Sequence, residues 1–237
     1  MSYPGGKGSS GVVQEIVNQI PPHQIYIEGF LGSGTVLRAK LPADSSIGID
    51  SDAAVVKKWA ADNTENSDAS DKWVLPPGAT IINGDVIMFL SGYSWTGTEF
   101  IYLDPPYLFD LRASKRQIYN SEFGDVDEHK RLLDCILSLH VPVAISGYWS
   151  ELYAEKLSNW RHITYNTMTR SGSRQEFLWM NYPEPTELHD YKYLGSNFRQ
   201  RERLNRMRNR WVARLKRMGL LERQMLSAAI AEIGEPR

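Results

Sequence analysis

Five short apolar runs, alternating in the main with helical patterns, most constrain what this 237-residue chain can fold into. They are Ile25-Tyr26-Ile27, Ile47-Gly48-Ile49, Thr80-Ile81-Ile82, Phe100-Ile101-Tyr102-Leu103 and Val143-Ala144-Ile145. Runs without polar alternation suit strands buried on both faces, and intervening helices supply the crossovers that parallel strands need. The intervening patterns predict helices over Val12 to Ile20 (stopped by Pro21-Pro22), from Thr35, around Val55, Val56 and Trp59, and from Asp127 as N-cap to Leu139. Two further strands, near His162 to Thr167 and over Phe177 to Met180, read as a hairpin joined by Arg170-Ser171-Gly172-Ser173-Arg174. The expected architecture is α/β, Rossmann-like, with a mostly parallel seven-stranded sheet covered on both faces.

Four of the runs end at or near a carboxylate: Glu28, Asp50, Asp85 and Asp104. In open α/β sheets ligands bind outside the carboxyl ends of the strands, so these acids are candidate site residues. Asp104-Pro105-Pro106-Tyr107 is the most informative of the four strand ends. An acid, two prolines and an aromatic make a rigid, flat-faced pocket suited to a planar base with an exocyclic amine. The Asp104 carboxylate can accept one amine N–H and the Pro105 carbonyl the other, while Tyr107 stacks on the base. Two acceptors aim the nitrogen lone pair at an electrophilic methyl group, which points to methyl transfer onto an amino nitrogen. An ordinary strand-ending turn is the alternative.

Gly32-Ser33-Gly34 follows the first strand and opens a helix, where glycines allow a tight turn and close approach of a ligand to backbone. Leu37 stands where the dinucleotide fingerprint has its third glycine, which disfavours a nicotinamide site. Asp50 is placed to bind both ribose hydroxyls of a cofactor, and Asp85 to contact its adenine amine. Both acids also suit helix caps or exposed turns.

Taken together, Glu28-Gly29-Phe30-Leu31-Gly32-Ser33-Gly34, Asp50 and Asp104-Pro105-Pro106-Tyr107 resemble the Dam-like DNA adenine methyltransferases. Tyr3-Pro4-Gly5-Gly6-Lys7 is similar to that family's opening motif, and the resemblance covers roughly residues 1–182. It implies a class I methyltransferase fold using S-adenosylmethionine. It places Tyr3 and Lys7 by the cofactor and target base, Phe30, Gly32 and Gly34 around the methionine part, and Asp50 on the ribose, with Glu28 a further cofactor-binding candidate. The implied substrate is double-stranded DNA, methylated at adenine N6 after base flipping. An RNA adenine methyltransferase, a cytosine N4 methyltransferase and a nucleic-acid-binding protein with a vestigial site are the competing readings. The chain departs from the family in one respect. Only residues 86–103 separate Asp85 from Asp104, too few for the usual inserted recognition domain.

Charge locates the remaining candidates. Arg199 to Arg223 carries +8, which leaves −9 on the rest of a chain whose net charge is −1. A basic segment on an acidic body suggests a polyanion partner, with a solvated helix face or a docking helix as the alternatives. Candidate nucleic-acid contacts are Arg112, Lys115, Arg116 and Tyr119 after the Asp104 turn, Arg170 and Arg174 in the hairpin connection, and Arg206 and Arg210 in the basic segment. That segment carries an apolar stripe for packing, Leu204, Met207, Trp211, Leu215 and Met218, and Gly219 is a candidate break. The expected division is a catalytic domain over 1–185 and a basic helical extension over 186–237. Five histidines without ligand spacing predict no metal. The single Cys135 predicts a core residue and a reducing, cytoplasmic setting, and no apolar run predicts a membrane span.

Overall fold

The computed structural model describes residues 11–64, 72–108, 124–169 and 172–234. Five strands run parallel: β1 (Ile25–Gly29), β2 (Ser45–Asp50), β3 (Ala79–Asn83), β4 (Glu99–Leu103) and β5 (Val143–Gly147). β6 (Arg161–Thr169) and β7 (Gly172–Met180) form an antiparallel hairpin, and β7 also pairs antiparallel with β5. The sheet order is β3-β2-β1-β4-β5-β7-β6. Every residue of β4 and β5 is buried, as their unbroken apolar runs require. The buried carboxylate at the start of β4, Glu99, accepts hydrogen bonds from the Thr96 N–H and hydroxyl and the Gly97 N–H.

Six helices cover the sheet: α1 (Val12–Val17), α2 (Thr35–Ala39), α3 (Ala53–Asp62), α4 (Val86–Gly92), α5 (Val126–Leu137) and α6 (Glu151–Lys156). Each of the last four starts on a side-chain cap, from Asp52, Asp85, Asp125 and Ser150 respectively. Such a cap contributes about 1 kcal/mol by satisfying an orphan N–H. The cap of α5 is thus Asp125, two residues before the expected Asp127, which lies in the first turn where its charge favours the helix dipole. β7 begins at Gly172, so Ser173 and Arg174 are strand residues and not part of the hairpin connection. Cys135 is half-buried beside the core. The stretch between Asp85 and Asp104 holds α4 and β4, so the sheet itself uses it up.

The chain divides into two units after Tyr191. Residues 186–191 belong with the first because the His189 N–H donates to Ile20 O and the Leu41 N–H to Asp190 Oδ2. The second unit contains α7 (Phe198–Lys216), capped by Asn197, and α8 (Leu220–Gly234), with Gly219 between them. Neither helix has a buried residue. The expected apolar stripe is therefore not a core seam: Leu204, Leu215 and Met218 are half-buried, whereas Met207 and Trp211 are exposed. Arg214 instead lies over the Trp211 ring at 5.5 Å. No helix among the described residues is long and apolar enough to cross a membrane.

The first unit has the Rossmann-like fold of the class I S-adenosylmethionine-dependent methyltransferases: seven strands, mostly parallel, closed by a C-terminal hairpin. A fold of this kind hosts many reactions, so function rests on the site.

The turn from β1 into α2 depends on backbone freedom. Phe30, Gly32 and Gly34 all have positive φ, at 55°, 49° and 56°. A Cβ on Gly34 would lie 2.6 Å from the Trp59 ring. Gly34→Ala therefore adds a left-handed strain to a clash and is expected to destabilise the protein by about 2–4 kcal/mol in urea unfolding.

Candidate active site

Strand register decides which loops meet. Gly29 of β1 lies opposite both Ile49 of β2 and Leu103 of β4, and Leu103 lies opposite Ile145 of β5. The carboxyl ends of these four strands are thus level. The glycine turn after β1, Asp50, the Asp104 turn and the Ser146–Tyr148 segment emerge on one edge. Strand order reverses between β1 and β4, the point where open α/β sheets bind ligands.

On the β1 side, buried acids organise the backbone. Glu28 Oε2 accepts the Tyr26 hydroxyl at 2.7 Å and the Leu37 N–H at 2.8 Å, which caps α2 from within the core. Burial pushes the Glu28 carboxyl up to about 7; the two hydrogen bonds oppose that rise and the nearby Asp104 charge adds to it. Asp50 Oδ2 accepts the Gly32 N–H at 2.8 Å and Oδ1 the Asp52 N–H at 2.9 Å. Burial raises the Asp50 carboxyl as well, against those two hydrogen bonds. Each Asp50 oxygen has a second lone pair, so it can still accept from a ligand hydroxyl. Trp59 locks the turn from above, donating its indole N–H to Gly32 O at 2.9 Å. Asp85 stands one strand further out, exposed, with its Oδ1 capping α4 through the Met88 N–H.

On the β4 side, the Asp104 turn is tied down at two points. His129 Nε2 lies 3.1 Å from Pro106 O and its Nδ1 lies 2.8 Å from the Tyr153 hydroxyl. A carbonyl can only accept, so His129 Nε2 carries a proton, and in the neutral ring Nδ1 accepts from the Tyr153 hydroxyl. Burial first, and the Asp104 charge second, push the Tyr153 hydroxyl well above its ordinary range, which keeps it a donor. The second tie is the Tyr107 hydroxyl, which donates to Glu176 Oε1 at 2.7 Å; Thr167 donates to the same oxygen at 3.1 Å. The Pro105 carbonyl has no hydrogen-bond partner among the described residues and remains the acceptor beside Asp104. Below the turn, Ser146 Oγ links the hydroxyls of Tyr102 and Tyr165 at 2.8 and 3.2 Å, joining β4, β5 and β6.

The Tyr107 ring lies against Tyr148, centroids 4.1 Å apart and planes at 34°, and the Arg174 guanidinium lies over Tyr148 at 5.3 Å. The cleft beneath these rings offers about 10 Å³, room for no more than roughly one water.

The structure therefore brings together Glu28, Phe30, Gly32, Gly34, Asp50, Asp104, Pro105, Pro106 and Tyr107 on one edge, with Arg174 beside them. Arg206 and Arg210 lie on α7 in the second unit, both exposed, and Arg206 pairs with Glu202 at 3.2 Å. Tyr3, Lys7, Arg112, Lys115, Arg116, Tyr119 and Arg170 lie outside the described residues. Sequence reasoning missed His129, Tyr148, Tyr153 and Glu176. The available signal was a histidine on the apolar stripe of α5 and a glutamate in the inward register of β7, and neither announces its partner.

No family model matches this chain, and no curated protein matches it in sequence. Among solved structures it is similar to M. capricolum TrmK in complex with S-adenosyl-homocysteine, at 9% identity and TM-score 0.48, covering 94% of this chain and 95% of that one. It is similar to a precorrin-6y C5,15-methyltransferase from Geobacter metallireducens at 9% identity and TM-score 0.48, covering 77% and 93%. A dimethyladenosine transferase from Plasmodium falciparum follows at 13% identity and TM-score 0.40, covering 73% and 62%. Likenesses this distant add nothing to what the sheet order itself shows.

Glu28 gives the site a pH signature in stability. Its folded value of about 7 exceeds the unfolded 4.5, so the folded chain retains a proton that the unfolded chain has released. Stability from the protonated form is complete below about pH 4.5 and lost as pH rises through about 7. Glu28→Gln keeps both accepted hydrogen bonds and cannot ionise. Relative to wild type it is expected to gain about 2–3 kcal/mol between pH 4 and pH 8. Urea unfolding of both proteins at the two pH values checks this; a pH-independent difference would mean that Glu28 ionises normally.

Proposed function

We propose that this chain is an S-adenosylmethionine-dependent methyltransferase acting on the exocyclic N6 amine of adenine in double-stranded DNA, akin to the Dam-like enzymes. The observation that carries the reading is the placement of Asp104-Pro105-Pro106-Tyr107 at the carboxyl end of β4, directly beside the glycine turn of β1 at the reversal of strand order. The residues present fit the cofactor. The left-handed turn at Phe30, Gly32 and Gly34 suits the methionine part, and the buried Asp50 with lone pairs to spare suits the ribose. When bound, S-adenosylmethionine supplies an electrophilic sulfonium methyl.

The chain's own residues do the rest. In duplex DNA the target base must leave the stack, at a cost of a few kcal/mol. Stacking on Tyr107 returns about 1–3 kcal/mol, and phosphate contacts from basic side chains such as Arg206 and Arg210 offset the remainder. Asp104 accepts one amine N–H and the Pro105 carbonyl the other, which fixes the direction of the nitrogen lone pair. As the nitrogen forms its new bond it gains positive charge, and the Asp104 carboxylate stabilises that charge. The turn that carries these acceptors is held rigid by His129 and Glu176, so little reorganisation is needed at the moment of reaction.

Incubation with methyl-labelled S-adenosylmethionine and unmethylated duplex DNA, followed by nucleoside mass spectrometry, tests the reading. N6-methyladenine carrying the label is the expected product. Label in RNA alone, or in N4-methylcytosine, would move the activity to another substrate. Asp104→Ala is expected to lower turnover at least about 100-fold while cofactor affinity changes little; undiminished activity would overturn the mechanism. Arg206→Ala and Arg210→Ala are each expected to lower the salt slope of DNA binding by about 1, uniformly across sequences.

A further inference from the structure

We infer that the helical unit, α7 with α8, is a docking surface for a second copy of this chain, and that two copies pair through α8. The inference goes beyond the methyltransferase reading and does not need it. The two helices leave nine large apolar side chains exposed, among them Trp211 at 51%, Leu221 at 78%, Ile230 at 67% and Ile233 at 84%. Neither helix has a buried residue, so they do not cover each other. The apolar residues of α8 stand on every side of it. At about 100° per residue, Leu226, Ile230 and Ile233 fall on one side, Leu221 and Met225 on a second, and Leu220 with Ala231 on a third. A helix apolar all round is one that works buried. The 15 residues of α8 span about 22 Å, short of a bilayer core of about 30 Å. It also lacks the broad polar face of a helix that lies on a membrane surface. A helix of this length is marginal by itself in water, so α8 needs a protein cover.

Area, charge and the rest of the surface point to a second copy as that cover. A fully exposed aliphatic side chain offers roughly 60–120 Å² for burial, and an aromatic one more. The nine side chains, exposed between 37% and 84%, then offer about 500 Å² per copy. Two copies would bury about 1,000 Å², the lower bound of a specific interface. Five of the nine belong to α8. Only Glu222, Arg223 and Glu232 are charged in α8, so two such helices meet without strong repulsion. In α7 eight Arg and Lys residues stand against Glu202 alone, which keeps two α7 helices apart and makes α8 the seam. The first unit offers no matching face among its described residues. Its exposed large apolar side chains are scattered: Met88 on α4, Val126 and Leu137 at opposite ends of α5, and the rest outside helices and strands. The surface that matches α8 is thus α8 itself, and a self-complementary contact closes at two copies.

Sedimentation equilibrium of the full chain from about 0.3 to about 100 μM, with far-UV circular dichroism over the same range, tests the pairing. An interface of this size is expected to give a monomer–dimer equilibrium with Kd on the order of 1–50 μM. Met225→Glu and Ile230→Glu each put a charge into the seam, and each is expected to weaken the dimer at least about tenfold. Both positions are exposed in a single copy, so the unfolding midpoint of the dilute protein is expected to be unchanged. Val74→Glu, at a comparably exposed apolar position of the first unit, is expected to leave Kd within about twofold. Helicity is expected to fall on dilution through the same Kd, because an uncovered α8 frays. A chain that is monomeric at every concentration overturns the pairing, and constant helicity in that monomer would place the cover of α8 within its own chain. A dimer that survives both α8 substitutions, or is weakened as much by Val74→Glu, overturns it too, as does association that continues past two copies. The presence or absence of methyl transfer leaves each of these outcomes as it is.

Discussion

The in-register pairing of β1 with β4 is the constraint on which the site depends. These strands adjoin in the sheet although they are the first and fourth in the chain, and Gly29 faces Leu103 across the pair. Because the side chains and ends of parallel strands advance together, this one register sets the glycine turn and the Asp104 turn at the same height. A shift of one residue would turn every side chain of β4 to the opposite buried face, where the packing around it no longer fits. The full burial of β4 excludes such a shift energetically, since each large side chain there contributes roughly 1.5–3 kcal/mol by its burial. The core therefore fixes the chemistry's geometry even though no core residue takes part in it.

Above that register, rigidity comes from polar groups buried next to the site. Glu28, Asp50, Glu176 and His129 are all buried, and each is hydrogen-bonded to backbone or to a tyrosine hydroxyl, Glu176 to the Thr167 hydroxyl as well. A buried polar group without partners costs several kcal/mol, so each of these bonds is held with little slack. The consequence is a division of labour among carboxylates. Glu28, raised by burial, can hold a proton near neutrality and so spares the edge a second negative charge close to Asp104. Asp50 faces backbone N–H groups that stabilise its charge.

How much of this was legible in the sequence follows from contact distance along the chain. The strands β1, β2, β4 and β5 were legible because largely buried parallel strands write themselves as unbroken apolar runs. The edge strand β3 has no buried residue, although its run Thr80-Ile81-Ile82 predicts burial on both faces. The Asp104 turn and the glycine turn were legible because proline and glycine carry their backbone meaning locally. Tyr107 and Glu176 meet across 69 residues, and Pro106 and His129 across 23, with nothing in either segment to name the other. Ser171-Gly172-Ser173 predicts a turn leading to Arg174, yet strand pairing with β6 overrides that local preference. The stripe on α7 has helical spacing, but spacing shows which face is apolar and not what covers it, and Met207 and Trp211 are exposed.

Under the proposed function, the same register bears on how the site is built without an insertion between Asp85 and Asp104. The segment between Asp85 and Asp104 makes only the helix and strand that the sheet requires, α4 and β4. The platform, acceptors and ties of the base come, under the proposed function, from the turn after β4 and from α5 and β7, with no need of an inserted domain. Under the proposed function, base capture and sequence reading are then separable in this chain. The pocket selects for an exocyclic amine, while the exposed Arg206 and Arg210 contribute charge that is blind to sequence. The chain's affinity comes, under that function, mostly from phosphates and its selectivity from what the Asp104–Tyr107 turn accepts. Its sequence preference should then be short, and set by how readily a given step unstacks as much as by contacts to base edges.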